Sequence, residues 1–167
     1  RVSRGLGDVY KRQIHIQYYI IKNDVLFNQI KDILIEKAAQ GVEVRVLFDA
    51  MGCRSVRHSY WKWLNEKGVQ TAEFFPAILR RLQLRINYRN HRKIVVVDNK
   101  VAYVGGFNVG KEYIDLDEKF GHWRDTHLRI CGSAVLGLQV RFILDWNYAA
   151  GENLFLRPEL FRGIEAG

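Results

Sequence analysis

Apolar positions recur along this chain in two rhythms, and the change from one to the other marks out its elements. Ile14–Ile21 (IHIQYYII) is dense in β-branched and aromatic residues and reads as a strand. Asn23-Asp24 stands where a helix cap belongs. Val25, Leu26, Ile30, Ile33, Leu34 and Ala38 then recur at helical spacing until Gly41 ends the run. Glu43–Phe48 (EVRVLF) reads as a buried strand leading into Asp49-Ala50-Met51-Gly52. Ser55 is placed to cap a second helix that carries Tyr60, Trp61, Trp63 and Leu64 and closes at Gly68. Val69–Phe75 is a third strand, stopped by Pro76. Ile94–Val97 and Val101–Val104 are short strands joined by a hairpin turn at Asp98-Asn99-Lys100. Thr126–Ile130 is a further strand. Gly132-Ser133 caps a last helix, Ala134–Ala149, whose Val135, Leu138, Phe142, Leu144 and Trp146 form an apolar side.

Strand–helix–strand–helix–strand at the front predicts βαβ units, because parallel neighbours need a crossover between them. The fold class expected is α/β, with a mixed, largely parallel β-sheet flanked by helices. Arg1–Gln13 lack apolar periodicity and are set aside as a tail or an assembly scar. Residues 14–150 are expected to form a single domain, and Gly151–Gly167 a linker-like tail. Tyr18-Tyr19 reads as strand core, and Tyr60, Trp61 and Trp63 as helix packing.

A length of 167 residues suits one domain, and 48% hydrophobic residues with 13% aromatic are enough to bury a core. Charge adds a partner class. Lys and Arg number 26 against 18 Asp and Glu, a net +8. Arg80, Arg81, Arg85, Arg89, Arg92 and Lys93 lie within one short stretch, with no acid from Phe74 to Val97. A basic stretch of that density calls for an anion: nucleic acid, a membrane surface or a phosphate. Two cysteines, Cys53 and Cys131, are too few for a disulfide framework. No apolar run approaches the ~18 residues that cross a bilayer, and no signal-peptide pattern is present.

The basic stretch runs straight into the segment that carries chemistry, NHRKIVVVDNKVAYVGGFNVG. His91, Lys93, Asp98, Gly105, Gly106 and Asn108 stand as H-x-K-x4-D-x6-G-G-x-N. His91 and Lys93 are two apart at the mouth of a strand, so their side chains share a side. Glycines after the second strand let main chain approach a ligand closely. Asn108 adds an amide donor. A neutral imidazole, an ammonium, an amide and close backbone suit a tetrahedral phosphate anion.

The segment resembles the HKD motif of the phospholipase D superfamily. HIQYYIIKND, VRVLFDAMG, HWRDTHLRI and DWNYA extend the likeness, from about Ile14 to Ala150, to the first catalytic half of bacterial cardiolipin synthases. The resemblance implies His91 as nucleophile or as the acid–base partner of a second histidine. It implies Lys93 and Asn108 as phosphate ligands, with Gly105 and Gly106 beside them, and Asp98 as a support that does not take part directly. A downstream acid orients the histidine in that superfamily, and Asp125 in WRDTHLRI is placed for it, accepting from one imidazole nitrogen. The activity implied is phosphatidyl transfer between phosphatidylglycerol molecules through a phospho-histidine. No cofactor or metal is implied, since Lys93 and the donors neutralise charge that Mg²⁺ carries elsewhere. Partners are an anionic phospholipid and the bacterial cell membrane surface.

In-line displacement at phosphorus needs groups on opposite faces, so two such histidines must meet across the phosphate. This chain has one. None of His15, His58, His122 or His127 opens a second motif. The other HKD half is either a missing C-terminal half or a homodimer partner. Alternatives are a homodimeric phosphodiesterase or nuclease of the same superfamily, tracking nucleic acid with the basic run, and a non-catalytic module that binds anionic phosphate or membrane. Asp49, at a strand end, reads first as a cap and second as a substrate contact. His122 and His127 form H-x4-H but lack a third ligand of matching spacing.

Overall fold

The structure is a computed structural model that describes residues 12–75 and 89–162. Arg80, Arg81 and Arg85 of the basic run lie outside the described residues. Six strands, β1 (Gln13–Tyr18), β2 (Glu43–Asp49), β3 (Val69–Phe74), β4 (Ile94–Val97), β5 (Val101–Gly105) and β6 (His127–Cys131), form one sheet in the order β3-β2-β1-β4-β5-β6. Helices α1 (Val25–Ala39) and α2 (His58–Glu66) pack on one face and α3 (Ala134–Ala150) on the other.

The α/β class and the mixed sheet agree with the sequence reading. Parallel pairing is confined to β1–β2 and β2–β3, the βαβ front. The three remaining pairs are antiparallel: β4 enters beside β1 in the opposite direction, β5 follows it through a short turn, and β6 returns beside β5 after the longer connection 106–126. The first turn spans Asp98, Asn99 and Lys100, with Lys100 N bonded to Val97 O at 3.0 Å, and Asp98 and Asn99 take left-handed φ of 53° each.

Local chemistry explains most element ends. Asp24 caps α1, its Oδ1 accepting from Leu26 N at 3.0 Å and Phe27 N at 3.2 Å. Ser55 does not cap α2, which starts at His58 after Arg57 with no side-chain cap. The chain leaving β2 is instead tied to Asp49: Oδ1 accepts from Met51 N at 2.8 Å and Gly52 N at 3.2 Å, and Cys53 N bonds to Asp49 O. Those turns delay helix entry by two residues, from a cap at Ser55 to one at Arg57.

Alternation along β1 sorts the two faces. Ile14, Ile16 and Tyr18 join Val44, Val46, Phe48, Phe27, Leu34 and Trp61 under α1 and α2. Full burial of each such side chain contributes about 1.5–3 kcal/mol. Gln13, His15 and Gln17 face α3 and are at most 1% exposed. Buried polar groups demand partners, and this face supplies them. His15 Nδ1 lies 2.9 Å from Gln139 Oε1 and Nε2 lies 3.1 Å from Arg45 Nη1. The ring therefore donates from Nδ1 and accepts at Nε2. Burial, together with the Arg45 charge, lowers its pKa to about 3. Arg45 pairs in turn with Glu43.

Two boundary expectations change. Gln13 belongs to the sheet and not to a tail: its backbone N donates to Asp98 Oδ1 at 2.7 Å. Gly151–Arg162 is not a linker. It makes 3-10 turns at Leu154–Leu156 and Pro158–Phe161, and Leu154 and Leu160 are buried against Leu47, Phe142 and Trp146. Arg157 grips the Glu43 carboxylate at 2.6 and 2.9 Å. Leu160 O accepts from Gln13 Nε2 at 2.8 Å and Asn99 Nδ2 at 2.6 Å. Two apolar residues six apart lack helical or strand period, which hides such a segment from pattern reading.

Candidate active site

The carboxyl ends of the parallel strands β1 and β2 share one edge of the sheet with the start of β4, the end of β5 and the start of β6. That edge is where open α/β sheets collect ligands. Asn90 and Arg92 bracket His91, and both are pinned to α3. Asp145, 2% exposed, accepts from Asn90 Nδ2 at 3.0 Å, Arg92 Nη1 at 3.1 Å and Gln17 Nε2 at 2.7 Å, and pairs with Arg141. With both neighbours held down, His91 is turned outward to stand over Tyr19, ring centroids 4.5 Å apart.

Lys93 meets it there. Its Nζ lies 2.8 Å from His91 Nδ1 and 2.8 Å from His91 O, and 5.6 Å from the Tyr19 ring centroid. The side chain is 4% exposed. Burial lowers the Lys93 pKa, and the Asp125 carboxylate opposes that shift. Partial burial and then the Lys93 charge lower the His91 pKa below its ordinary value, against a small opposing pull from Asp49. Both effects favour the neutral imidazole over the imidazolium.

Gly105 and Gly106 are glycines for reasons of space. A Cβ on Gly105 would fall 2.4 Å from Thr126 O and 2.6 Å from His127 Cα. One on Gly106 would fall 2.0 Å from Asp125 Oδ1. Gly105 N reaches toward Lys93 O at 3.4 Å, so main chain lies directly beside the lysine. Asn108 is buried on the same edge; its Oδ1 accepts from Ile20 N at 3.1 Å and its Nδ2 donates to Tyr113 Oη at 3.2 Å. An amide carries two donors, so one N–H is left beyond the Tyr113 bond.

The structure thus brings His91, Lys93, Gly105, Gly106 and Asn108 to one edge, with Asp125 beside them. Asp98 is elsewhere. It sits at the far end of β4, about 15 Å along the strand from Lys93, bonded to Gln13 and paired with Arg12. No hydrogen bond joins Asp125 to His91 among the described residues. The Lys93 amine occupies Nδ1, while Asp125 faces Gly106 and accepts from Thr126 N at 2.7 Å. Asp49 ties the turn after β2 and caps no helix; its other oxygen accepts from Asn90 N at 3.4 Å, next to His91.

Sequence reading placed Tyr19 in a strand core, yet it follows β1 and floors the histidine. Asn90 and Asp145 went unnoticed because neither belongs to the motif. The polar alternation of His15 and Gln17 was the available sign that a polar layer lay beneath. His127, read only as half of H-x4-H, stands against Gly105 and stacks on Phe107 at 5.7 Å. His122 is at the surface, 2.8 Å from Asp115. Among the described residues no three His, Cys, Asp or Glu side chains gather to hold a metal ion, and no helix is long and apolar enough to cross a membrane.

Solved structures share this architecture. A phospholipase D family member, Nuc from Salmonella typhimurium, superposes with TM-score 0.56 at 16% identity, over 85% of this chain and 82% of its own. NucT from Helicobacter pylori gives 0.61 at 14% identity, over 82% and 80%. These likenesses define the class as a phospholipase D-type fold. The family follows from sequence: residues 10–121 match the model for the cardiolipin synthase, PLD-like domain, and the chain belongs to that family. Among its relatives are the cardiolipin synthase of Oceanobacillus iheyensis, 50% identical over 94% of this chain and 33% of its own length. The major cardiolipin synthase ClsA of Bacillus subtilis is 53% identical over 90% and 32%, and a cardiolipin synthase of Staphylococcus aureus 56% over 92% and 31%. The chain spans about a third of the length of these relatives.

Proposed function

We propose that this chain supplies one catalytic half of a cardiolipin synthase-type phosphatidyltransferase at a bacterial membrane surface. The observation that carries the reading is the 2.8 Å contact between Lys93 Nζ and His91 Nδ1 at a glycine-lined sheet edge. The Lys93 ammonium donates to the histidine ring. An arriving phosphoryl group draws Lys93 to its non-bridging oxygens and releases the imidazole. The free Asn108 N–H and the backbone at Gly105 and Gly106 complete the cradle. Asp125 balances the charge of Lys93, and Asp98 secures the hairpin that carries both halves of the motif.

The reaction needs a second histidine on the opposite face. One imidazole nitrogen attacks the phosphorus of phosphatidylglycerol, and glycerol leaves with a proton from the other histidine. The hydroxyl of a second phosphatidylglycerol then returns that proton and displaces the first, giving cardiolipin. A second H-x-K-x4-D half, covalently linked or from a partner chain, must therefore face this edge. Nuc shows that a fold of this size can form most of a whole chain, which supports a homodimeric phosphodiesterase as the second reading. Identities of 50–56% with cardiolipin synthases favour the first.

The test is conversion of labelled phosphatidylglycerol to cardiolipin. The 167-residue chain alone is expected to be inactive. It should gain turnover when mixed with a chain supplying a second H-x-K-x4-D motif, and lose it with His91→Ala. Turnover by the isolated monomer, or turnover that survives His91→Ala, overturns the proposal. Cleavage of DNA but not phosphatidylglycerol transfers it to the second reading.

A further inference from the structure

A cavity of about 320 Å³ lies between α1 and the face of the β4–β5 hairpin, the low end of the size range for ligand sites. Leu26 and Ile30 of α1, Val95 of β4 and Tyr103 of β5 give it apolar walls, and Asn108 and His127 close one end. Its position is fixed by the sheet register. Val95 is paired with Tyr103, and the next pair up the same face brings Lys93 beside Gly105, with His127 opposite Gly105. Two residues along a strand span roughly 7 Å. The cavity therefore begins one pleat repeat along the strand from Lys93, on the face to which Lys93 points by alternation.

The other end opens outward. Ile114 lines the cavity while 45% exposed, and the loop that carries it continues with Leu116 at 58% and Phe120 at 53% exposure. An apolar channel that starts beside a phosphate cradle and ends among exposed apolar side chains matches one kind of ligand, an amphiphile with its anion at one end.

Resting on the phosphatidyl reading above, we propose that this cavity takes the acyl-glycerol end of the phospholipid whose phosphate lies at His91 and Lys93. The site then recognises the ester-linked chain as well as the headgroup. Apolar walls contribute about fourfold in affinity per methylene buried, so two or three methylenes give roughly fifteenfold to sixtyfold.

The experiment is calorimetric binding to the 167-residue chain of dihexanoyl phosphatidylglycerol, below its micelle concentration, and of glycerophosphoglycerol, the same headgroup without chains. The acylated ligand is expected to bind at least tenfold tighter. Ile30→Trp, which fills the cavity from half-buried α1, should erase that difference and leave glycerophosphoglycerol unchanged. Equal affinity of the two ligands for the wild-type chain overturns the cavity assignment and leaves the phosphate reading standing. An equal loss for both ligands in Ile30→Trp also overturns it. Binding of neither ligand removes both readings together.

Discussion

Replacing Asp145 by Ala is the most direct probe of what holds His91 in place. The carboxylate is 2% exposed and receives Asn90, Arg92, Gln17 and Arg141. Removing one partner of a buried ionic cluster costs about 3–5 kcal/mol when the orphaned charges stay buried. Here the side chains of Arg92 and Arg141 are 45% and 41% exposed and regain water, so about 2–3 kcal/mol is expected. The penalty left is that of the buried amides of Gln17 and Asn90 without an acceptor. At about 1–3 kcal/mol per molar urea, the urea midpoint of the 167-residue chain should fall by roughly 1 M. The acid dependence supplies a second arm. Burial alone would raise the Asp145 pKa, but bonds from Arg141, Gln17 and Asn90 and the Arg92 charge hold it below its ordinary value. A depressed carboxyl contributes stability above its unfolded pKa, about 3.9, that is lost as pH falls through the folded value. Asp145→Ala should therefore narrow its deficit against wild type as pH drops below about 4. An unchanged midpoint at pH 7, or a deficit that grows in acid, refutes the assignment.

Gly105→Ala should open the β5–β6 pair at the site, because the added carbon meets backbone at 2.4 and 2.6 Å, which cannot rotate away. Overpacking of this kind costs about 1–3 kcal/mol, a drop in Tm of several degrees by thermal denaturation, and an unaltered Tm would contradict the geometry. His15 makes wild-type stability fall as pH drops below about 6.5. The unfolded ring takes up a proton there, while the native ring, pKa about 3, refuses it. The slope from this group approaches about 1.4 kcal/mol per pH unit, and urea titrations at pH 7, 6 and 5 should show it diminished in His15→Gln.

The parts of the fold that could be read in advance were those with a period or a punctuating residue. α1 had both, from Asp24 to Gly41, and the β4–β5 hairpin had its Asp-Asn pair at left-handed φ. The motif residues on either side of β4 and β5 were legible because spacing alone places them on one sheet edge, save Asp98, which the same spacing sends to the opposite edge. Non-local contacts left no local mark. Asp145 meets Asn90 across 55 residues and Arg157 meets Glu43 across 114. No local pattern marks these partners before the chain is folded. Tyr19 was misplaced because aromatic content suggests a strand without showing where it stops.

The turns after α3 set a practical limit on how this unit can be cut. Leu154 and Leu160 plug the floor of the sheet, and Arg157 neutralises a carboxylate that Arg45 shares. Trimming at Gly151 would leave greasy sockets open to water and one sequestered anion short of a counterion. A domain boundary drawn by eye at the end of the last helix would yield a sticky, poorly behaved fragment, whereas one drawn past Arg162 keeps the seal.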